Sequence, residues 1–179
     1  TEVGICPSLV HASNSAAAIS RPDLSWNMIR LGIAMYGLDP SDECKCPDDL
    51  RPALTWKTQL SQVKQVPRGT GISYGHNYVT NGPEIIGTIP TGYADGYRRH
   101  GEKIVLVGGK RVPVVGAVCM DQFMVKLNSV PDAMVGDEVV MIGHQGMDHI
   151  SAEEVALRWN TINYDVVSSI GSRVPRVYI

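Results

Sequence analysis

The sequence predicts an α/β segment followed by a larger, mainly antiparallel β domain of barrel-like form, and three observations carry that expectation. Over the first fifty residues, apolar runs alternate with helix-prone stretches. A Pro-, Asp- and Ser-rich stretch, Asp39–Asp49, then reads as a linker. Beyond it the hydrophobic period falls to two, and short apolar segments are punctuated by turn signals.

The elements follow in order. Pro7–His11 reads as a short apolar strand, and the small-residue run Asn14–Ala18 suits a helix start. Asp23–Met28 is a second helical candidate, and Ile29–Met35 an apolar run fitted to a buried strand. Two such cycles close neither a barrel nor an open sheet, so they are expected to be part of a larger fold. After the linker, Leu54, Trp56, Thr58 and Leu60 alternate with polar neighbours as in a half-buried strand, and Val63, off phase, implies a bulge. Further strands are expected at Ile85–Pro90, Ile104–Val107, Val112–Val118, Phe123–Leu127 and Glu138–Ile142. Turns are expected at Asn81–Gly82, Gly108–Gly109 and Gly136–Asp137. Ser151–Glu154 has the form of a capping box ahead of one helix; a second runs from about Asn163 to Gly171, and Val174–Ile179 returns as a strand.

Composition narrows the function classes. With 44% hydrophobic and 19% charged residues, the chain is globular in texture. A formal net charge of -2 without long charge runs argues against nucleic-acid binding. No apolar run approaches the roughly 20 residues of a membrane span, and the first residues have no signal-peptide pattern, so a cytoplasmic location is expected. The four cysteines, Cys6, Cys44, Cys46 and Cys119, match no zinc spacing, and His144 and His149 lack a third ligand nearby, so they are expected to be plain loop residues.

Three clusters hold chemistry. His11, Asn14 and Ser15 with Arg30–Ile33 place polar groups at the ends of the two α/β strands, an arrangement suited to an anion such as phosphate or simply to a polar strand end. The turn-rich stretch Ile72–Tyr78 offers Tyr74 as an acid or base; a free tyrosine ionises at about pH 10 and needs help to act near neutrality, so packing is the plainer role. Gly116–Gln122 gathers small, polar and sulfur-bearing groups, with Cys119 either reactive or a small buried hydrophobe.

Six motifs occur in register along nearly the whole chain. They are His-x-x-Asn-Ser-Ala at 11–16, Arg-Leu-Gly-Ile-x-x-Tyr-Gly at 30–37 and Ser-Tyr-Gly at 73–75. Gly-Tyr-Ala-Asp-Gly at 92–96, Cys-Met-Asp-Gln at 119–122 and Ser-Arg-Val-Pro-Arg at 172–176 complete the series. Each is weak alone; together they resemble the alanine racemase family.

That resemblance implies that residues 1–45 are the C-terminal strands of a (β/α)8, TIM-type barrel that binds pyridoxal 5'-phosphate, and that residues 50–179 are the C-terminal β domain. It implies an isomerase that interconverts L- and D-alanine by two-base proton exchange at Cα, supplying D-alanine for peptidoglycan. Position by position, Ser15, Gly32, Ile33 and Tyr164 would hold the cofactor phosphate. Arg30 would face the pyridine nitrogen, steadied by His11. Because arginine keeps its proton, that nitrogen stays unprotonated and the ring becomes a poorer electron sink, which favours simple proton exchange. Tyr74 would be the base for L-alanine, the Met120 amide would bind the substrate carboxylate, and Tyr93 and Arg99 would line the entrance. No metal is implied.

The opposite base, the cofactor-binding lysine, lies near the start of the family's barrel; Lys45, Lys57, Lys64, Lys103, Lys110 and Lys126 all fall outside that motif. The chain alone is therefore expected to be inactive, its partners being the missing N-terminal barrel half and a second subunit in a head-to-tail homodimer. Ala117 departs from relatives that place an arginine there. Two other classes fit less well: a non-catalytic β-barrel interaction module, against which the co-occurrence of Tyr74, Arg30 and the 119–122 motif argues, and a decarboxylase, which would place an acid where Arg30 stands.

Overall fold

The computed structural model describes Gly4 and residues 6–179, in two compact units that meet in the chain between Leu54 and Thr55. In the first unit, helix α1 (Ser15–Ser20) starts where the sequence places it: the Asn14 side chain accepts a hydrogen bond from Ala17 N at 3.0 Å and so satisfies one orphan amide. It stops ahead of Pro22, whose ring disfavours helical backbone in the preceding residue. Asp23–Met28 contributes only part of a 3-10 turn, Pro22–Leu24, and a second such turn covers Ile33–Tyr36.

Neither apolar run in this unit forms a strand, contrary to expectation. A strand needs a hydrogen-bonded neighbour along its length. The second run bonds instead just past the end of the first, from Arg30 N to Ser13 O at 2.8 Å. The Asn27 side chain imitates a second rung, accepting from Val10 N at 2.7 Å and donating to Ser8 O at 2.8 Å. Leu9, Ile29 and Leu31 consequently remain exposed rather than buried. The stretch 39–49 packs as part of this unit: Cys44 is buried with Sγ 3.2 Å from Ser20 Oγ, and Ala53 N donates to Tyr36 O. Gly37 closes the 3-10 turn at φ 71°, with the Arg51 carbonyl where a Cβ would stand.

The second unit contains ten strands and two helices. The strands are β1 (Trp56–Gln59), β2 (Gln62–Val66), β3 (Gly71–Ile72), β4 (Tyr78–Val79) and β5 (Glu84–Ile89), then β6 (Ile104–Val107), β7 (Lys110–Val115), β8 (Phe123–Lys126), β9 (Glu138–Gln145) and β10 (Asp148–Ile150). Helices α2 (Ala152–Arg158) and α3 (Asn163–Ser169) follow. Eight strands form one antiparallel sheet in the order β1-β9-β6-β7-β8-β5-β2, with β10 added on β9; β3 and β4 pair separately.

The expected antiparallel domain is present, but the sheet is not closed, which corrects the barrel-like expectation. Its two end strands, β1 and β2, are joined by the chain at Leu60–Ser61 and not by a ladder. Leu60 N still donates to Asp137 O beyond β9, whereas Ser61 N donates to Thr88 O on β5. The off-phase Val63 therefore marks a corner where the chain changes partners rather than a bulge. The expected strand at Val174–Ile179 is also absent; those last residues have no ladder and Val177, Tyr178 and Ile179 are exposed.

Tyr97 organises the core. Its ring stacks on Phe123 at 4.4 Å and meets Trp56 and Trp159 edge-on at 5.9 and 5.3 Å. Phe123 is fully buried, as are Leu60 and Leu127, each burial worth roughly 1.5–3 kcal/mol. At α2 the Ser151 hydroxyl accepts from Glu154 N at 3.1 Å, but the Glu154 carboxylate does not return the bond; it joins Arg111 and Arg158 instead. His144 and His149 are not loop residues but a cross-strand pair on β9 and β10, their rings stacked 5.0 Å apart.

Candidate active site

In the first unit, the polar residues singled out by the sequence lie against one another. Gly32 N donates to Ser15 Oγ at 2.8 Å, which sets a hydroxyl beside the start of the Ile33–Tyr36 turn, where backbone amides have no partner within the turn itself. Ser15 and Ile33 are buried. Arg30 Nη1 donates to His11 Nδ1 at 3.0 Å. A guanidinium only donates, so this bond fixes the imidazole as an acceptor at Nδ1, and any proton it carries sits on Nε2. Both side chains are exposed in this unit, so the pair is open to a ligand.

In the second unit, Tyr74 stands at the tip of a tight turn, 71% exposed. The backbone around it is left-handed at Ser73 (φ 64°), Gly75 (φ 73°) and His76 (φ 48°). Such a run demands a reason, since L-residues avoid positive φ. Part of it is packing beneath the turn: Ile72 is buried with Val66, Ile86 and Val115, with Tyr78 and Met124 against them. On the far side Tyr78 donates to the buried Glu84 carboxylate at 2.7 Å, and Lys126 donates to the same group at 2.9 Å. Burial pushes the Glu84 carboxyl up, but the Lys126 and Tyr78 hydrogen bonds outweigh it and hold the group below the usual carboxylate range.

Met120, 58% exposed, lies in a loop pinned to the 92–96 motif. Tyr93 N donates to Cys119 O at 3.1 Å and Ala94 N to Met120 O at 2.9 Å. Glycine at 92 is required by this approach, because a Cβ there would meet Cys119 O and the Met120 carbonyl at 2.4 Å. Asp95 locks the turn from inside, accepting from Gly92 N at 2.7 Å and pairing with Arg173 at 2.8 Å. Arg176 donates to the carbonyls of Ile170, Gly171 and Val174 at the end of α3. Ser73 Oγ donates to Ala117 O at 2.6 Å, so the Tyr74 turn is tied to the same loop. Cys119 is buried with Sγ 3.5 Å from that hydroxyl.

Four of the six motifs therefore meet, 92–96 with 119–122 through backbone bonds and the other two through the Ser73 hydroxyl and the Asp95–Arg173 pair, and sequence reasoning did not single out the residues that join them: Ser73, Gly92, Asp95 and Arg173. Their signal was present only as motif membership. Tyr93 is half-exposed and Arg99 exposed. Tyr164 lies in the first turn of α3, next to Asp165, which is paired with Arg98 and accepts from Thr161 at 2.6 Å.

The sequence matches the family described as "Alanine racemase, C-terminal domain" over residues 53–178 and "Alanine racemase, N-terminal domain" over residues 1–40. The chain belongs to the alanine racemase family. It is 51% identical over 170 residues to an alanine racemase of Halothermothrix orenii, covering 94% of this chain and 45% of that protein. A Desulfovibrio desulfuricans alanine racemase is likewise 51% identical, over 98% of this chain and 47% of the relative. Among solved structures, alanine racemase from Bacillus anthracis with bound L-Ala-P superposes with a TM-score of 0.94 at 48% identity, over 99% of this chain and 46% of that one. Alanine racemase from Clostridium difficile in complex with cycloserine gives 0.88 at 45% identity, over 97% of this chain and 46% of that one. The chain thus spans about half the length of these alanine racemases. Among the described residues no helix is long and apolar enough to cross a membrane, and no group of three or more His, Cys, Asp or Glu is placed to hold a metal.

Arg99 sits in a loop with an unusual support. The buried Lys103 donates to three of that loop's carbonyls, Arg99 O, His100 O and Gly101 O, at 3.2, 2.6 and 2.7 Å. Burial pulls the Lys103 ammonium down to about 8. The folded value lies below the unfolded one, so between about pH 8 and 10.5 the unfolded chain binds more protons and stability rises with pH. The thermal midpoint of the parent, relative to that of a Lys103→Met variant, is expected to climb across that window, the comparison cancelling the opposite contribution of the raised Tyr97 and Tyr78 phenols.

Proposed function

We propose that this chain supplies the end of the cofactor-binding barrel and the C-terminal β domain of a pyridoxal 5'-phosphate-dependent alanine racemase. The observation that carries the reading is the pairing, within one unit, of the His11–Arg30 hydrogen bond with the Ser15–Gly32 contact. The donor set fits the cofactor. The Ser15 hydroxyl and the Ile33 amide suit a phosphate monoester, whose oxygens accept hydrogen bonds, and the Gly32 amide, which donates to Ser15 Oγ, would turn to the ligand. Tyr164 would add its hydroxyl to that phosphate. The cofactor, when bound, supplies a ring that takes up the electrons left at Cα as its proton departs.

The residues of this chain then divide the work. Arg30 would stand at the ring nitrogen and, keeping its own proton, would donate there without protonating it. His11 holds the guanidinium in place by accepting its hydrogen bond. Tyr74 removes or returns the proton on the L face of the substrate, and its exposure in a lone chain fits a group that serves a site completed by other protein. The Met120 amide binds the carboxylate, and Tyr93 and Arg99 line the entrance. The second base is a lysine carried by the rest of the barrel, and the assembled enzyme is a head-to-tail homodimer in which Tyr74 and Met120 act on the partner's cofactor.

The test is reconstitution. The chain alone, with pyridoxal 5'-phosphate, is expected to racemise no alanine. Refolded with the N-terminal barrel portion of an alanine racemase, it is expected to convert L- to D-alanine, read by chiral chromatography. Turnover by the chain alone would overturn the division of labour. A complete protein, barrel included, with no racemisation would overturn the reading itself.

A further inference from the structure

We propose that Ser73 is a positioning residue that sets the distance between the base on Tyr74 and the carboxylate-binding amide of Met120. The inference rests on the racemase reading above and adds a role to a residue that reading leaves idle.

Three observations carry it. First, Ser73 has φ 64° and ψ -174°, a backbone region that is almost the preserve of glycine. A serine kept there is held by its surroundings. Second, its hydroxyl donates to Ala117 O at 2.6 Å, and Cys119 Sγ lies 3.5 Å away. Both groups belong to the loop that carries Met120, so one hydroxyl joins the residue before Tyr74 to the segment before Met120. Third, the backbones approach closely at the same place: a Cβ on Gly116 would stand 2.6 Å from Ile72 O and 2.8 Å from Ser73 Cβ. The two loops are pressed together with the Ser73 hydroxyl between them.

The consequence is geometric. Proton transfer needs the base within hydrogen-bond reach of Cα, and a misplacement of about 1 Å costs on the order of 100-fold in rate. Met120 is held on its other side by Tyr93 N and Ala94 N through Cys119 O and Met120 O. Tyr74 has its turn anchored below by Ile72. The Ser73 hydroxyl is the side-chain hydrogen bond that spans the gap, so its removal leaves both loops folded while freeing their spacing.

The experiment uses the complete protein, barrel included, with Ser73→Gly and Ser73→Ala. Glycine suits the φ of this position, so Ser73→Gly is expected to fold at least as stably as the parent while lacking the hydroxyl. Each variant is expected to lose about 10- to 100-fold in kcat/KM, with a raised KM and a lowered kcat. The decisive readout is facial. Loss of the α-deuteron of L-alanine to solvent, the step assigned to Tyr74, is expected to slow by that factor. Loss of the α-deuteron of D-alanine, the step assigned to the lysine, is expected to change less than threefold. Equal slowing on both faces would mark a general structural role and overturn the proposal, as would unchanged kinetics in Ser73→Gly. A parent protein that racemises no alanine would instead sink the racemase reading, and this role with it.

Discussion

Replacing Tyr74 by phenylalanine in the complete protein is expected to lower alanine racemisation by roughly 100- to 10,000-fold, the range for losing a positioned acid–base group. The proposed roles make the loss one-sided. L-alanine would keep its α-proton, because the phenol that takes it is gone. D-alanine would still exchange its α-proton with solvent, because the lysine face is untouched. Stability should hardly move: the ring is 71% exposed at the tip of its turn, and the turn is held by Ile72, Ser73 and Tyr78 rather than by the phenol. Proton NMR in deuterated water with each enantiomer measures both rates. Equal retention of the two exchange rates in Tyr74→Phe would remove this residue from the chemistry.

The second large effect is on the architecture of the site. Gly92→Ala would thrust a methyl group to 2.4 Å from Cys119 O and the Met120 carbonyl, and both obstacles are backbone. Flexible side chains could swing aside; a loop pinned by Tyr93 N, Ala94 N and the Cys119–Gln122 bond cannot do so cheaply. A cost of about 3 kcal/mol is expected, at the upper end for overpacking. For a chain of this size that lowers the thermal midpoint by about 6–12 °C. Gly82→Ala is the control, since nothing lies within 4 Å of a Cβ there and its backbone is not left-handed. A Gly92→Ala chain as stable as the control would show that the loop gives way.

The period-two pattern from Trp56, the double-glycine turn at Gly108–Gly109 and the Ser151 cap were all legible, because each depends on a few neighbouring residues. Strand pairing supplied the outcome at Glu84–Ile89, at Ile104–Val107 and at Glu138–Gln145, where the apolar runs lay where expected. The same reasoning failed at Ile29–Met35. An apolar run becomes a strand only if another strand pairs with it, and in this chain that segment reaches across the unit through Arg30 N to the Ser13 carbonyl and Gly32 N to the Ser15 hydroxyl, which make no ladder. It failed again at Val63, where a change of phase recorded a change of partner from β9 to β5.

Within the site, sequence by itself determined the inventory: an arginine and histidine nineteen positions apart, a serine ahead of a glycine turn, and six motifs whose order marks the alanine racemase family. It could do so because residue identity and spacing along the chain are local facts. Tertiary structure alone decided that Ser73 ties the tyrosine turn to the Met120 loop, that Asp95 and Arg173 brace it, and that the sheet stays open between β1 and β2. Those outcomes depend on which distant backbone segments come within hydrogen-bond reach, and that proximity comes with packing between distant residues, such as Ile72 with Val66, Ile86 and Val115 or Tyr97 with Phe123, not with any single stretch of sequence.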